Sequence, residues 1–239
     1  MTTDRSPDAA GAERGQTFIV RVWLPDRPGA LGAVASRIGA VRGDVIGIDI
    51  LERGAGRAID ELVVQLPDAS LLDLLIEEIK VVDGAAVEDV RLAADALRDP
   101  RLDALETAAL LVATASVEEL LASLLEHAAS DFGAEWAVVL DVETAEIRSS
   151  IGARPSAGWL TAFAQGTRTS VRVTTGETGP DDVALASMPK ADLSLLLGRS
   201  GRPLRARERR QLAALARIAD LRWSEVVVDD ARLGHPSAR

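Results

Sequence analysis

The chain has 239 residues, 47% of them hydrophobic, enough to bury one large core or two ordinary ones, and this length favours two domains. With 37 acidic residues against 27 basic ones it carries a formal charge of -10, a field that opposes diffuse binding to nucleic acid and to anionic membrane surfaces. It has no cysteine, which excludes disulfides, thiolate metal sites and cysteine nucleophiles.

Residues 1–16 are small and polar without an apolar core segment, so they read as a disordered arm rather than a signal peptide. No run of about 18 consecutive apolar residues occurs, so no membrane span is expected and the chain reads as cytoplasmic. A first domain is expected over 17–93. Phe18, Val20, Val22 and Leu24 alternate as in a half-buried strand, and from Leu31 the apolar residues Val34, Ala35 and Ile38 take helical spacing. Asp44 to Leu51 carries Ile46, Ile48 and Ile50 on one side, and the Gly54-Ala55-Gly56 turn returns the chain through Leu62, Val64 and Leu66 as a hairpin. Ser70 is expected to cap a helix with Leu72, Leu75, Ile76 and Ile79 inward, and a last strand runs from Val87 to Leu92. The order is βαββαβ, a ferredoxin-like antiparallel sheet with both helices on one face.

A charged stretch with Pro100 marks a linker over 94–104, ahead of a second domain at 105–228 and a disordered tail at 229–239. Ser116-Val117-Glu118-Glu119 forms a capping box that starts a helix through Leu120, Leu121, Leu124, Leu125 and Ala128, with Gly133 ending it. Strands are expected at Trp136–Leu140, Glu146–Ile151, near Ser170–Thr174, at Val183–Ser187 and at Leu193–Leu197, with a helix at Trp159–Gln165 among them. A long helix from Leu204 to about Val226 closes the domain, giving an α+β chain whose second sheet is sandwiched by the first and last long helices.

The strand–turn–helix at Asp26, Arg27, Pro28, Gly29, Ala30 and Leu31 is the one place where the sequence points to a ligand. Backbone N–H groups at a helix start, backed by the helix dipole, seat a carboxylate or another small anion. The amides of Ala30 and Leu31 are the expected donors, with Asp44, or alternatively Asp26, for an ammonium group. The plainer readings are a strand–helix turn with Pro28 at a helix start, and an Asp44 that only bonds the local backbone as its strand begins.

Three features together, the Asp26-Arg27-Pro28-Gly29-Ala30-Leu31 turn after an apolar strand, the Gly43-Asp44-Val45-Ile46 start of the second strand and the βαββαβ order, make the stretch from Phe18 to Leu92 resemble an ACT domain. The resemblance implies a small-molecule regulatory module that associates through its sheets as a homodimer. It further implies an amino-acid ligand at the subunit interface, between the turn and Asp44, Val45 and Ile46. Where many relatives carry Asn, this chain has Asp44. The second half, from Leu102 to Val228, looks like a GAF domain by its helix–sheet–helix order and the closing helix after Gly198-Arg199-Ser200-Gly201. GAF relatives bind cyclic nucleotides, tetrapyrroles or other small molecules, or merely dimerise. A chromophore linked through Cys is excluded here, and the Asn-Lys-Phe-Asp-Glu signature of the cyclic-nucleotide binders is missing.

Catalysis has little support. His127 and His235 are the only histidines, one in an apolar helix end and one in the tail, so neither a triad nor a two-histidine zinc site is credible. Glu77-Glu78 and Asp181-Asp182 are adjacent in sequence and do not face one another, and no phosphate loop ending in Gly-Lys-Ser/Thr occurs. Arg199, Arg202, Arg205, Arg207, Arg209 and Arg210 read as a solvated helix end, the alternative being a seat for phosphate or an acidic partner. The four tryptophans read as core or interface, and Trp23, alternating with Ile19 and Arg21 on the sheet face away from the helices, implies that this face is covered. The expected function is a non-enzymatic sensor, without metal or cofactor, that binds a small amino acid at an ACT-type dimer interface and passes its state through the second domain to a protein partner. The alternative is an interaction subunit with no small ligand.

Overall fold

The computed structural model describes residues 15–93, 100–169 and 180–233. Residues 1–14 of the expected arm, 94–99 of the linker, the strand expected near Ser170–Thr174 and the tail from 234, with His235, lie outside the described residues. The chain divides into two compact units, Met1–Leu97 and Arg98–Arg239. No helix among the described residues is long and apolar enough to cross a membrane.

The first unit runs β1 (Gln16–Pro25), α1 (Ala30–Ala40), β2 (Asp44–Gly54), β3 (Arg57–Leu66), α2 (Leu72–Lys80) and β4 (Ala86–Leu92), the expected βαββαβ order. Its four strands form one antiparallel sheet in the order β2-β3-β1-β4, with β2 and β4 as edges. The period-two alternation of β1 puts Phe18, Val20, Val22 and Leu24 on one face. There they pack with Leu62, Val64 and Leu66 of β3, Val34 and Ile38 of α1, and Leu75 and Ile79 of α2. The β2–β3 turn uses Ala55 (φ 50°) and Gly56 (φ 75°), two left-handed residues in succession, which match the twist of a two-residue hairpin. The cap expected at Ser70 lies at Asp68 instead. The Asp68 carboxylate accepts from the Ser70 amide at 2.7 Å and opens a 3-10 turn over Ala69–Leu71, so that α2 starts only at Leu72. Asp68 wins because its backbone is extended (φ -147°, ψ 137°), the conformation that points a cap side chain back at the helix amides.

On the other face of this sheet Arg21 has no exposed side-chain surface. Its Nη2 and Nε donate to Glu61 Oε1 at 2.8 and 3.0 Å, and Arg91 Nη1 donates to the same oxygen at 3.1 Å. Trp23 Nε1 donates to Glu88 Oε1 at 3.0 Å while the Arg57 guanidinium stands 5.3 Å from the Trp23 ring centre. The face that the sequence marks as needing a cover thus holds a charged network around a buried arginine.

The second unit comprises α3 (Pro100–Ala113), α4 (Val117–Phe132), β5 (Trp136–Asp141), β6 (Glu146–Gly152), α5 (Ala157–Thr169), β7 (Val183–Met188), β8 (Leu193–Gly198) and α6 (Ala206–Leu233). Its antiparallel sheet has the order β6-β5-β8-β7. Ala137 and Val139 of β5, with Leu193, Leu195 and Leu197 of β8, face α4 and α6, whereas Trp136, Val138, Leu140 and Leu196 face Leu160 and Ala164 of α5. The first and last long helices therefore share one face instead of enclosing the sheet, and α5 covers the opposite one. The reason is the alternation within β5, apolar on both faces, which leaves a second buried surface for α5 to fill.

Ser116 caps α4 as expected, accepting from the Glu119 amide at 3.1 Å, and Gly133 ends it in the left-handed conformation (φ 55°). The arginine cluster departs from expectation. Arg199 is 4% exposed and sits inside the α6 start, donating to the carbonyls of Phe132, Arg202 (2.9 Å) and Pro203 (2.8 Å) and to Glu208 at 2.7 Å. Arg209 likewise donates to the carbonyls of Leu204 and Asp181. These guanidiniums pair the backbone carbonyls that α4 and the loop before α6 leave without helical partners. Replacing Arg199 with Ala removes the buried cation that pairs with Glu208 and bonds three carbonyls, and the expected loss is about 3–5 kcal/mol of stability in this unit. Urea titration followed by circular dichroism checks it, and an unchanged midpoint refutes the knot.

Candidate functional site

The turn after β1 is built from backbone constraints. The Asp26 amide donates to the Gly56 carbonyl at 2.9 Å, tying the turn to the β2–β3 hairpin, and the Arg27 amide donates to the Pro25 carbonyl at 2.8 Å. Gly29 has φ 86°, a left-handed conformation that a side chain would strain, although a Cβ there would meet nothing within 4 Å. Pro28 precedes that cap and so lies outside the helix, not at its first residue. Behind Gly29 the first turn of α1 has neither a side-chain cap nor an acidic residue. The Ala30 amide donates to the Arg27 carbonyl at 3.3 Å, and Ala33 to Gly29 at 2.9 Å. The amides of Leu31 and Gly32 have no partner among the described residues. Ala30 is thus not one of the available donors, because the tight turn uses its N–H internally; the pair that can reach a ligand is Leu31 and Gly32.

Charges flank this opening. Asp26 faces Arg53 of β2 at 3.8 Å and Arg27 faces Asp83 at 3.7 Å, both exposed pairs that water screens. Asp60 of β3 is different. It is 4% exposed, on the helix-covered face of the sheet between the Val22 and Ile50 registers, and its Oδ1 is buried with no hydrogen-bond partner among the described residues. Burial holds its proton above the usual carboxylate range, Arg53 works against that, and the like charge of Asp26 adds to it.

The structure does not bring Asp44 to the turn within one chain. Asp44 pairs with Gln65, at the end of the sheet where β1 begins, whereas Pro25 pairs with Arg57 at the other end. Eight residue steps along the strands separate the two levels, about 27 Å at the rise of an extended chain. Asp44 is exposed at the first position of edge strand β2, Val45 leans on the core, and Ile46, Ile48 and Ile50 are 41%, 48% and 40% exposed. Gly43, just before, is fixed by crowding: a Cβ would stand 2.8 Å from the Ile38 side chain and 3.1 Å from both the Ile38 carbonyl and the Leu66 side chain.

In the second unit, an open groove of about 240 Å³ runs between α3 and α4, lined by Asp103, Glu106, Glu126, His127 and Asp131 among others. The His127 Nδ1 lies 2.8 Å from the Ser123 carbonyl, one turn back on its own helix. Among the described residues no three His, Cys, Asp or Glu side chains are grouped to hold a metal ion.

No protein-family model and no curated protein sequence matches the chain. Among solved structures it is similar to the ACT domain from the GTP pyrophosphokinase of Chlorobium tepidum, at 16% identity over 33% of this chain and 86% of that one, with a TM-score of 0.26. It is also similar to a formyltetrahydrofolate deformylase from Pseudomonas putida KT2440, at 21% identity over 37% of this chain and 36% of that one, with a TM-score of 0.26. A protein of unknown role from Galdieria sulphuraria is similar over 90% of this chain and 94% of its own, at 13% identity and a TM-score of 0.31.

Asp60 escapes the sequence reading, yet its signal is there: it stands at the same parity as Leu62, Val64 and Leu66, a charge in the inward row of an alternating strand. Because its folded-state pKa is raised, its contribution to stability is full below the unfolded value of about 3.9 and is lost as pH rises through the folded value. Asp60→Asn, which removes the ionisation while keeping the shape, is expected to melt above the wild type at neutral pH. The gap should narrow as pH is lowered towards about 4. Melting curves from pH 4 to pH 8 read this, and a gap that widens on acidification overturns it.

Proposed function

We propose that the chain is a non-enzymatic regulatory sensor, in which the first unit acts as an ACT-like module that binds a small amino acid and the second, GAF-like unit carries the output to a protein partner. The observation that carries this reading is the uncapped start of α1. Two adjacent amides without partners among the described residues, at the positive end of a helix, favour a carboxylate, and the polar turn from Asp26 to Gly29 leaves them accessible. No catalytic group is required.

The site is completed by a second copy of the chain. Asp44 and the turn stand at opposite ends of one sheet, so a pocket using both needs two sheets running in opposite directions. Edge strand β2 supplies that geometry: antiparallel pairing of two copies about Ile48 sets Asp44 of one opposite Glu52 of the other, next to Arg53 and Asp26. The same pairing satisfies an open strand edge and covers Ile46, Ile48 and Ile50. Arg37 pairs with Glu78 of α2, so the opposite flank of α1, with Leu31, Ala35 and Gly39, borders β2 and extends this apolar margin with small residues. A ligand held between copies acts by favouring one arrangement of the pair over another, a coupling typically of ~1–3 kcal/mol.

Thermal melting against each of the twenty amino acids tests the reading. One of them at about 100 times its dissociation constant should stabilise the native state by ~2.7 kcal/mol, and Asp44→Ala should weaken that response. If no amino acid shifts the melt, the chain is an interaction subunit without a small ligand. Ile48→Glu sets like charges against each other at the twofold and should weaken self-association at least ~10-fold without unfolding the monomer, read by sedimentation equilibrium. An unchanged dimer would place the interface elsewhere.

A further inference from the structure

We infer that Asp60, buried on β3 towards the sheet end that carries the turn of the same chain, holds the ammonium of the bound amino acid together with Asp44 from the second copy. The inference rests on the proposed amino-acid site and names the residue that selects its ligand class, a primary ammonium beside a carboxylate.

Asp60 occupies a position where a charge has no structural use. Its neighbours in the inward row of β3 are Ala58 and Leu62, and its ladder partners are Val22 and Ile50. A buried carboxylate oxygen with no donor is costly to the fold and stays costly until a cation or a hydrogen-bond donor arrives. Asp60 lies towards the sheet end that carries the β1–α1 turn, two residues along β3 from Ala58, the ladder partner of Leu24. Its charged neighbours are Asp26, in the turn itself, and Arg53. Two carboxylates therefore share one guanidinium, and that guanidinium is exposed and only loosely held, 3.8 Å from Asp26. The local deficit is one positive charge. An α-amino acid with its carboxylate on the Leu31 and Gly32 amides brings that charge on the neighbouring atom and can displace Arg53 as the counter-ion of Asp60.

The test uses the full chain, the amino acid of the twenty that gives the largest melting shift, and its analogue with hydrogen in place of the ammonium group, each titrated by calorimetry. Asp60→Asn should bind the amino acid at least ~30-fold more weakly than the wild type, the loss expected when one partner of a buried charge pair is removed. The analogue should bind wild type and variant alike, because the ammonium is the group that Asp60 reads. Equal binding of the amino acid to wild type and Asp60→Asn, or an equal loss for amino acid and analogue, overturns the assignment and leaves the proposed site standing. A wild type that binds none of the twenty overturns both. Asp60→Asn must also show the circular dichroism spectrum of the wild type, and Asp60→Ser repeats the measurement with a smaller side chain should the amide disturb the fold.

Discussion

Antiparallel register governs everything that the first unit can do. Pairing β1 with β3 and β3 with β2 sends the start of β2 to one end of the sheet and the β1–α1 turn to the other. No side-chain motion closes a gap of that size, so the chemistry near the turn must come from its own surroundings or from another molecule. Its own surroundings are the hairpin tip, tied in through Asp26 and Gly56, together with Arg53 and the inward-facing Asp60.

Two kinds of polar group in this unit are left in different conditions. On the uncovered side of the sheet, Arg21 is fully buried but well supplied, with Glu61 accepting from two of its nitrogens and Glu88 at 3.8 Å, while Arg91 balances the second carboxylate. Such a network holds strand order. On the helix side, Asp60 Oδ1 and the amides of Leu31 and Gly32 have no hydrogen-bond partner among the described residues. Folded proteins seldom leave donors and acceptors of opposite character unmatched so close to one turn.

The alternation of β1 and the spacing of Val34 and Ile38 made the first sheet and its helices readable from sequence, and Ala55-Gly56 placed the hairpin, because these features are local and repeat with a fixed period. The turn from Asp26 to Leu31 was legible as a turn, but which amides stay free was not. That depends on the left-handed Gly29 and on the Ala30 to Arg27 bond, which close only once the turn is tied to the hairpin tip. The cap at Asp68 was missed because Ser70 is an equally good capping residue on paper, and only the extended backbone at Asp68 decides between them. The layer order of the second unit was out of reach for a related reason. A strand such as Trp136–Asp141, apolar on both faces, signals two covered sides without saying which helix goes where. Arg199 was misjudged because arginine runs are usually solvated, and its four acceptors come from Phe132, Arg202, Pro203 and Glu208, three of them close in sequence and one from the far end of α4.

The closing helix of the second unit is fastened at several points along its length. Arg199 ties its approach to the last carbonyl of α4, the Asp220 carboxylate accepts the amides of Lys190 and Ala191, and Arg222 donates to the Thr114 carbonyl between α3 and α4. A helix so fastened cannot slide past its neighbours by a turn without stranding a guanidinium and a carboxylate. Such cross-ties leave α4 and α6 a shared tilt as the displacement that breaks the fewest bonds.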